Sequence, residues 1–191
     1  MNEGESKNRK RVWILTSGVF VTSFSLITFE IVLSRLLSVL LSYHYVFIVL
    51  SLTLLGLGMG GISVHFLRAR ISRAQGRSIF LTFFASLYAL AISFSILCLI
   101  WVGYLGNILF YCFILFIPFL LVGMLLATIY STFPEASARI YGMDLIGGAA
   151  GSVGIIPLLD LLGVINAGLL LGVVASMAAL LFTLTETESG K

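Results

Sequence analysis

Six apolar runs, each about twenty residues long, leave this chain few ways to fold. They cover residues 12–31, 45–67, 79–102, 108–130, 140–159 and 164–184. A helix that crosses the hydrocarbon core of a bilayer needs about 20 such residues. The runs are too long and too unalternating for barrel strands. Isolated strands facing lipid would leave backbone groups unsatisfied. The prediction is an all-α, polytopic bundle with about six spans. Charge agrees: 10% of the residues are charged and 60% are hydrophobic, where a soluble domain carries about 25% charged residues.

The arginines set an orientation. Lys7, Arg9, Lys10 and Arg11 precede the first run, and Arg68, Arg70, Arg73 and Arg77 fill the connection after the second. The connections around Ser42, 103–107 and 160–163 hold no basic residue, Arg35 aside. Basic residues stay on the cytoplasmic side, so six spans put both termini there, and five would put the C-terminus opposite. The domains read as a polar basic tail (1–11), a transmembrane domain (12–184) and a polar tail (185–191). The first run is too long for a cleaved leader and reads as an uncleaved anchor. The expected location is a bacterial or archaeal cytoplasmic membrane. Basic clusters beside spans fix orientation and touch anionic lipid, so the bilayer is a partner and nucleic acid is not. Cys98 and Cys112 lie in apolar runs without metal-ligand spacing, and read as reduced, buried thiols.

Two stretches are rich in glycine. In "GLGMGG", Gly56, Gly58 and Gly61 fit G-x-G-x-x-G. A dinucleotide loop needs a preceding strand and an acidic residue about 20 positions on. This stretch lies inside a span and 78–84 hold no acid, so no cofactor is expected. Gly56 and Gly60 share one helix face, where backbones approach closely. "DLIGGAAGSVG" repeats the theme with Gly147 and Gly151. The expectation is that Gly56, Gly58, Gly60, Gly61, Gly147 and Gly151 pack helices. The second and fifth spans would then be central, against each other. Movable backbone around a substrate is the alternative.

Ionisable residues in spans are candidates for function. Counting 1.5 Å per residue from Val12 places Glu30 near the outer boundary, with Arg35 at or beyond it. Tyr43, His44 and Asp160 fall at the same level, so one outer polar layer is expected, with a helix break near Ser34 as an option. Glu30 and Arg35 are five apart, which is poor spacing for a helical pair. A second cluster, Glu135, Arg139, Tyr141 and Asp144, sits at the inner face. There Arg139 or a loop arginine would neutralise Asp144, or Asp144 would serve as a helix-start acid.

Together "FEIVLSRLLSVLLSYHYVFIVLSLTLLGLGMGG" and "RIYGMDLIGGAAGSVGIIPLLDLLG" resemble the membrane part of the fused major-facilitator/spermidine synthase family. The resemblance spans residues 12–184. It places Glu30, Arg35, Tyr43, His44, Gly56, Gly58, Gly60, Gly61, Tyr141, Gly142, Asp144, Gly147, Gly151 and Pro157 at motif positions. The family's soluble synthase-like domain is not represented within residues 1–191, so aminopropyl transfer is not assigned to this polypeptide. The resemblance implies a non-catalytic membrane subunit that supports a cytosolic synthase-like partner. Two alternatives compete. One is a transporter of a polyamine or other cation, acting as a homodimer of six-span halves. The other is an intramembrane enzyme using Glu30, His44 and Asp160.

Overall fold

The computed structural model describes residues 3–40, 43–73, 77–102 and 108–187. Five helices contain almost all of them: α1 (Glu3–Leu40), α2 (Tyr43–Arg73), α3 (Arg77–Val102), α4 (Ile108–Thr132) and α5 (Ser137–Thr187). A 3-10 turn, Pro134–Ala136, joins the last two. No strand occurs among the described residues. Each helix carries a stretch long and apolar enough to cross a membrane.

At 51 residues, α5 is too long for one crossing. It breaks at Gly163, whose φ of 72° and ψ of 169° are not helical. That backbone region is open essentially to glycine alone. The chain folds back there. Gly147, before the break, packs on Phe20 of α1, and Phe182, after it, packs on Gly18. Residues 35 apart thus meet α1 within one turn of each other. So α5 is an antiparallel hairpin of two arms, 137–162 and 164–187. The Asn166 amide donates to the Leu162 carbonyl at 3.0 Å, covering an acceptor at the break. The expected separation of fifth and sixth runs is therefore present, with a one-residue joint.

The neighbours follow a clear plan. The first arm of α5 runs parallel to α1, since Gly147 faces Phe20 and Gly151 faces Phe24 and Thr28. The second arm runs antiparallel to α1 and α3: Gly168 faces Val32 and Ile96, and Gly172 faces Ser93 and Ala89. α2 runs parallel to α4, with Gly56 on Phe116 and Gly60 on Leu120 and Gly123. The start of α1 and the end of α5 share one end of the bundle, where Leu15, Val19, Ala178 and Phe182 form one cluster.

The two glycine-rich helices accordingly pack on other helices, α2 on α4 and α5 on α1, not on each other. α2 is also peripheral. About 24% of its membrane stretch is buried, against 56% for α1 and 61% for α4. The reason lies in its outer face, where Phe47, Leu54, Leu55, Ile62 and Phe66 are exposed. These side chains suit lipid and have no helix beside them.

Several polar groups within the spans are satisfied locally. Pro118 inside α4 lacks an N–H, which frees the carbonyl four residues earlier. That carbonyl, Ile114 O, accepts from Ser95 Oγ of α3 at 3.3 Å. Neighbouring hydroxyls are how membrane helices tolerate proline. In α1, Thr16, Thr22, Ser25 and Thr28 donate to carbonyls three or four residues back. Phe29 stacks on Phe119 at 5.9 Å, which joins α1 to α4 through the interior.

Candidate functional site

The charged residues that the structure describes gather mainly at the end where α1 and α5 begin. Their scaffold is the α4–α5 connection. Phe133 N–H donates to the Ile129 carbonyl at 3.0 Å, and Ala136 N–H to the Phe133 carbonyl at 3.1 Å. Ser137 Oγ donates to the Pro134 carbonyl at 2.6 Å. The Arg11 guanidinium lies 5.4 Å from the Phe133 ring centroid, a cation–π distance. α1 is thereby tied to a turn 122 residues later in the chain.

Two recesses flank this tie, and Arg139 lines both. One, of about 540 Å³, lies over the turn and is lined by Val12, Phe133, Glu135 and Arg139 among others. The second, of about 390 Å³, lies between α1 and the first arm of α5. Arg9, Lys10, Glu135 and Arg139 are exposed, so the surface is accessible and carries both signs of charge. Tyr141 is 56% exposed beside it.

Asp144 sits one turn further in. It accepts a hydrogen bond from Ser23 Oγ of α1. Ser23 reaches it because the arm lies against α1 with Gly147 and Gly151 in the seam, and among the described residues no cation pairs with it. At Gly147 an added Cβ would come 2.5 Å from the Phe20 carbonyl oxygen, and at Gly151 2.7 Å from that of Phe24. The contact is backbone against backbone, which only glycine permits. Thr28 Oγ1 spans the same seam to the Gly151 carbonyl at 3.3 Å.

No protein-family model, curated protein or solved structure matches the chain. The site is therefore read from its own geometry.

Glu30 lies just past the middle of the packed length of α1. Ser25 marks half height: its Oγ meets the Tyr88 hydroxyl at 3.2 Å, near the middle of α3. It also falls midway between the Gly18–Phe182 and Val32–Gly168 contacts of the second arm. Glu30 is five residues beyond, roughly 7.5 Å along the helix. The hydrocarbon half-thickness is roughly 15 Å. In a bilayer centred on Ser25, Glu30 is inside the core and Arg35 is at its edge. α1 stays helical to Leu40, with no break near Ser34. Asp160 falls at about the height of Arg35, and both are exposed. Among the described residues, no hydrogen bond or ion pair joins Glu30, Arg35 and Asp160. The side chains of Tyr43 and His44 lie outside the described ones, as do those of Lys7, Arg68, Arg70, Arg73 and Arg77.

The glycine motif of α2 divides by face. At Gly60 an added Cβ would collide with the Leu120 carbonyl and with Met124 N. At Gly58 and Gly61 it would meet nothing within 4 Å, so these two pack against no helix among the described residues. Sequence reading missed Ser23, Gly18, Gly123, Gly168 and Gly172. A signal existed in part: Gly168 and Gly172 repeat the four-residue spacing, and "TSFSLIT" puts hydroxyls densely on α1.

Proposed function

We propose that this chain is a non-catalytic membrane subunit whose charged end docks a soluble, synthase-like protein. The observation that carries the proposal is the recess of about 540 Å³ over the α4–α5 turn, with Glu135 and Arg139 in its lining. Its floor is an ordered turn held by Arg11, so the surface is preformed. Opposite charges at a rim favour orientation and partner choice over raw affinity. The basic residues at this end also support its placement on the cytoplasmic side, where such a partner resides. The resemblance of residues 12–184 to the membrane part of synthase fusion proteins supplies the partner's class.

Co-purification from native membranes tests this. The unmodified chain should retain a soluble synthase-like protein, and Glu135→Arg combined with Arg139→Glu should release it. Native membranes that yield no such protein would count against docking.

Glu30 favours a second reading, transport of a cationic metabolite. In a bilayer centred on Ser25, Glu30 falls within the core, and among the described residues its carboxyl has no hydrogen-bond partner. Such a group is a functional candidate by default. Cation uptake into liposomes that Glu30→Gln abolishes would support transport. Uptake unchanged by that substitution would remove Glu30 from it.

A further inference from the structure

The smaller recess at the charged end has a different character from the docking surface beside it. We infer that it is a binding site for the head of an anionic phospholipid, with the phosphate between Arg9 and Arg139. The recess of about 390 Å³ lies between the first turns of α1 and those of α5. Its mouth carries two guanidinium groups, and its lining includes no acid. Glu135 lines the neighbouring recess instead, and Asp144 is engaged by Ser23. Among the described residues neither arginine has a carboxylate partner.

The rest of the lining is what a lipid meets below its head. Val12, Trp13, Met143 and Ile146 supply apolar walls. Trp13 is 59% exposed, as suits an indole at the headgroup level. Gly142 keeps the floor open, since an added Cβ there would meet nothing within 4 Å. A larger side chain there would enter the recess.

Depth selects the occupant. From half height at Ser25, Trp13 is roughly 18 Å and Arg9 roughly 24 Å along α1. Arg139 is roughly 16 Å from the middle of the first arm. With a hydrocarbon half-thickness of roughly 15 Å and headgroups reaching to roughly 22 Å, Arg139 stands in the headgroup layer, Arg9 at its outer edge and Ile146 among acyl chains. Guanidinium groups form forked hydrogen bonds to phosphate, and basic pockets between membrane helices hold anionic heads. A lipid would occupy this groove whether or not a soluble protein binds next to it.

Trp13 can report the occupant directly. The chain has two tryptophans, so Trp101→Phe leaves Trp13 alone. That full-length variant would be reconstituted in phosphatidylcholine bilayers and titrated with brominated phosphatidylglycerol or brominated phosphatidylcholine. Phosphatidylglycerol should quench Trp13 at about tenfold lower mole fraction. Arg9→Gln and Arg139→Gln should each reduce that preference about fivefold. Gly142→Leu should abolish it with helix content unchanged, and Lys10→Gln, outside the recess, should preserve it. Four results would overturn the site: equal quenching by the two lipids, a preference that survives Arg9→Gln with Arg139→Gln, a preference that Gly142→Leu leaves intact, or an equal loss in Lys10→Gln, which would mean diffuse attraction. Added inorganic phosphate at constant ionic strength should not compete. If it did, the site would belong to free phosphate and not to lipid.

Discussion

The glycine-rich stretch of α2 and that of the first α5 arm look alike on paper, yet they are used differently. In α5, Gly147 and Gly151 meet the backbone of α1 and Gly154 meets the Phe24 ring. A carboxylate and a hydroxyl cross the same seam, through Ser23–Asp144 and Thr28–Gly151. In α2, among the described residues, Gly56 and Gly60 meet a neighbour, α4, while Gly58 and Gly61 meet none. One stretch is a broad, polar-pinned joint, and the other is a narrow contact at the edge of the bundle. Small residues permit close approach, but the face opposite decides whether they serve it.

Substitutions can break that comparison at both sites. The largest effect is expected for Gly147→Leu and Gly60→Leu, at about 3 kcal/mol of lost stability each, because backbone atoms block the new side chain. Reversible unfolding in mixed micelles would measure it. A loss below about 1 kcal/mol at either position would mean that the seams yield. Next comes Gly163→Ala, expected to cost about 2 kcal/mol, since alanine resists a positive φ with extended ψ. The same unfolding assay reads it, and an unchanged midpoint would argue that the hairpin relaxes around alanine. Ser23→Ala should cost about 1 kcal/mol, a typical upper value for a hydrogen bond between membrane helices. If Ser23→Ala has no effect while Gly147→Leu does, the α5 seam is steric alone. The smallest effects belong to Gly58→Ala and Gly61→Ala, within about 0.5 kcal/mol and tending to stabilise, since alanine favours helix. A large loss at either position would reveal a neighbour from a second copy of the chain, and crosslinking through cysteine at the same position would then report it.

Much of the fold was legible because hydrophobic length is a strong signal. The six runs correspond to four helices and two arms, and the break falls where Asp160–Gly163 interrupts the apolar pattern. The pairing of helices was not legible. G-x-x-x-G spacing tells which residues share a face, not which helix that face meets, so α2 was assigned to α5 instead of α4. The full length of α1 was not legible either: a break near Ser34 was an option on paper, while the helix runs on to Leu40. The charged end could be read as a set of residues. The pairing of Asp144 with Ser23 could not, as these residues are 121 apart and come together only through the α1–α5 seam.

The one-residue joint at Gly163 has a mechanical consequence. A loop between two spans gives slack, so each can shift along the membrane normal by itself. Here a slide of one helical turn, roughly 5.4 Å, would need spare chain that a single residue lacks. The two arms must rise, sink or tilt together, and opening at the joint is the one soft coordinate left. A load placed on Arg139 at the head of the first arm is therefore felt at the far end of the second, where Phe182 sits on Gly18.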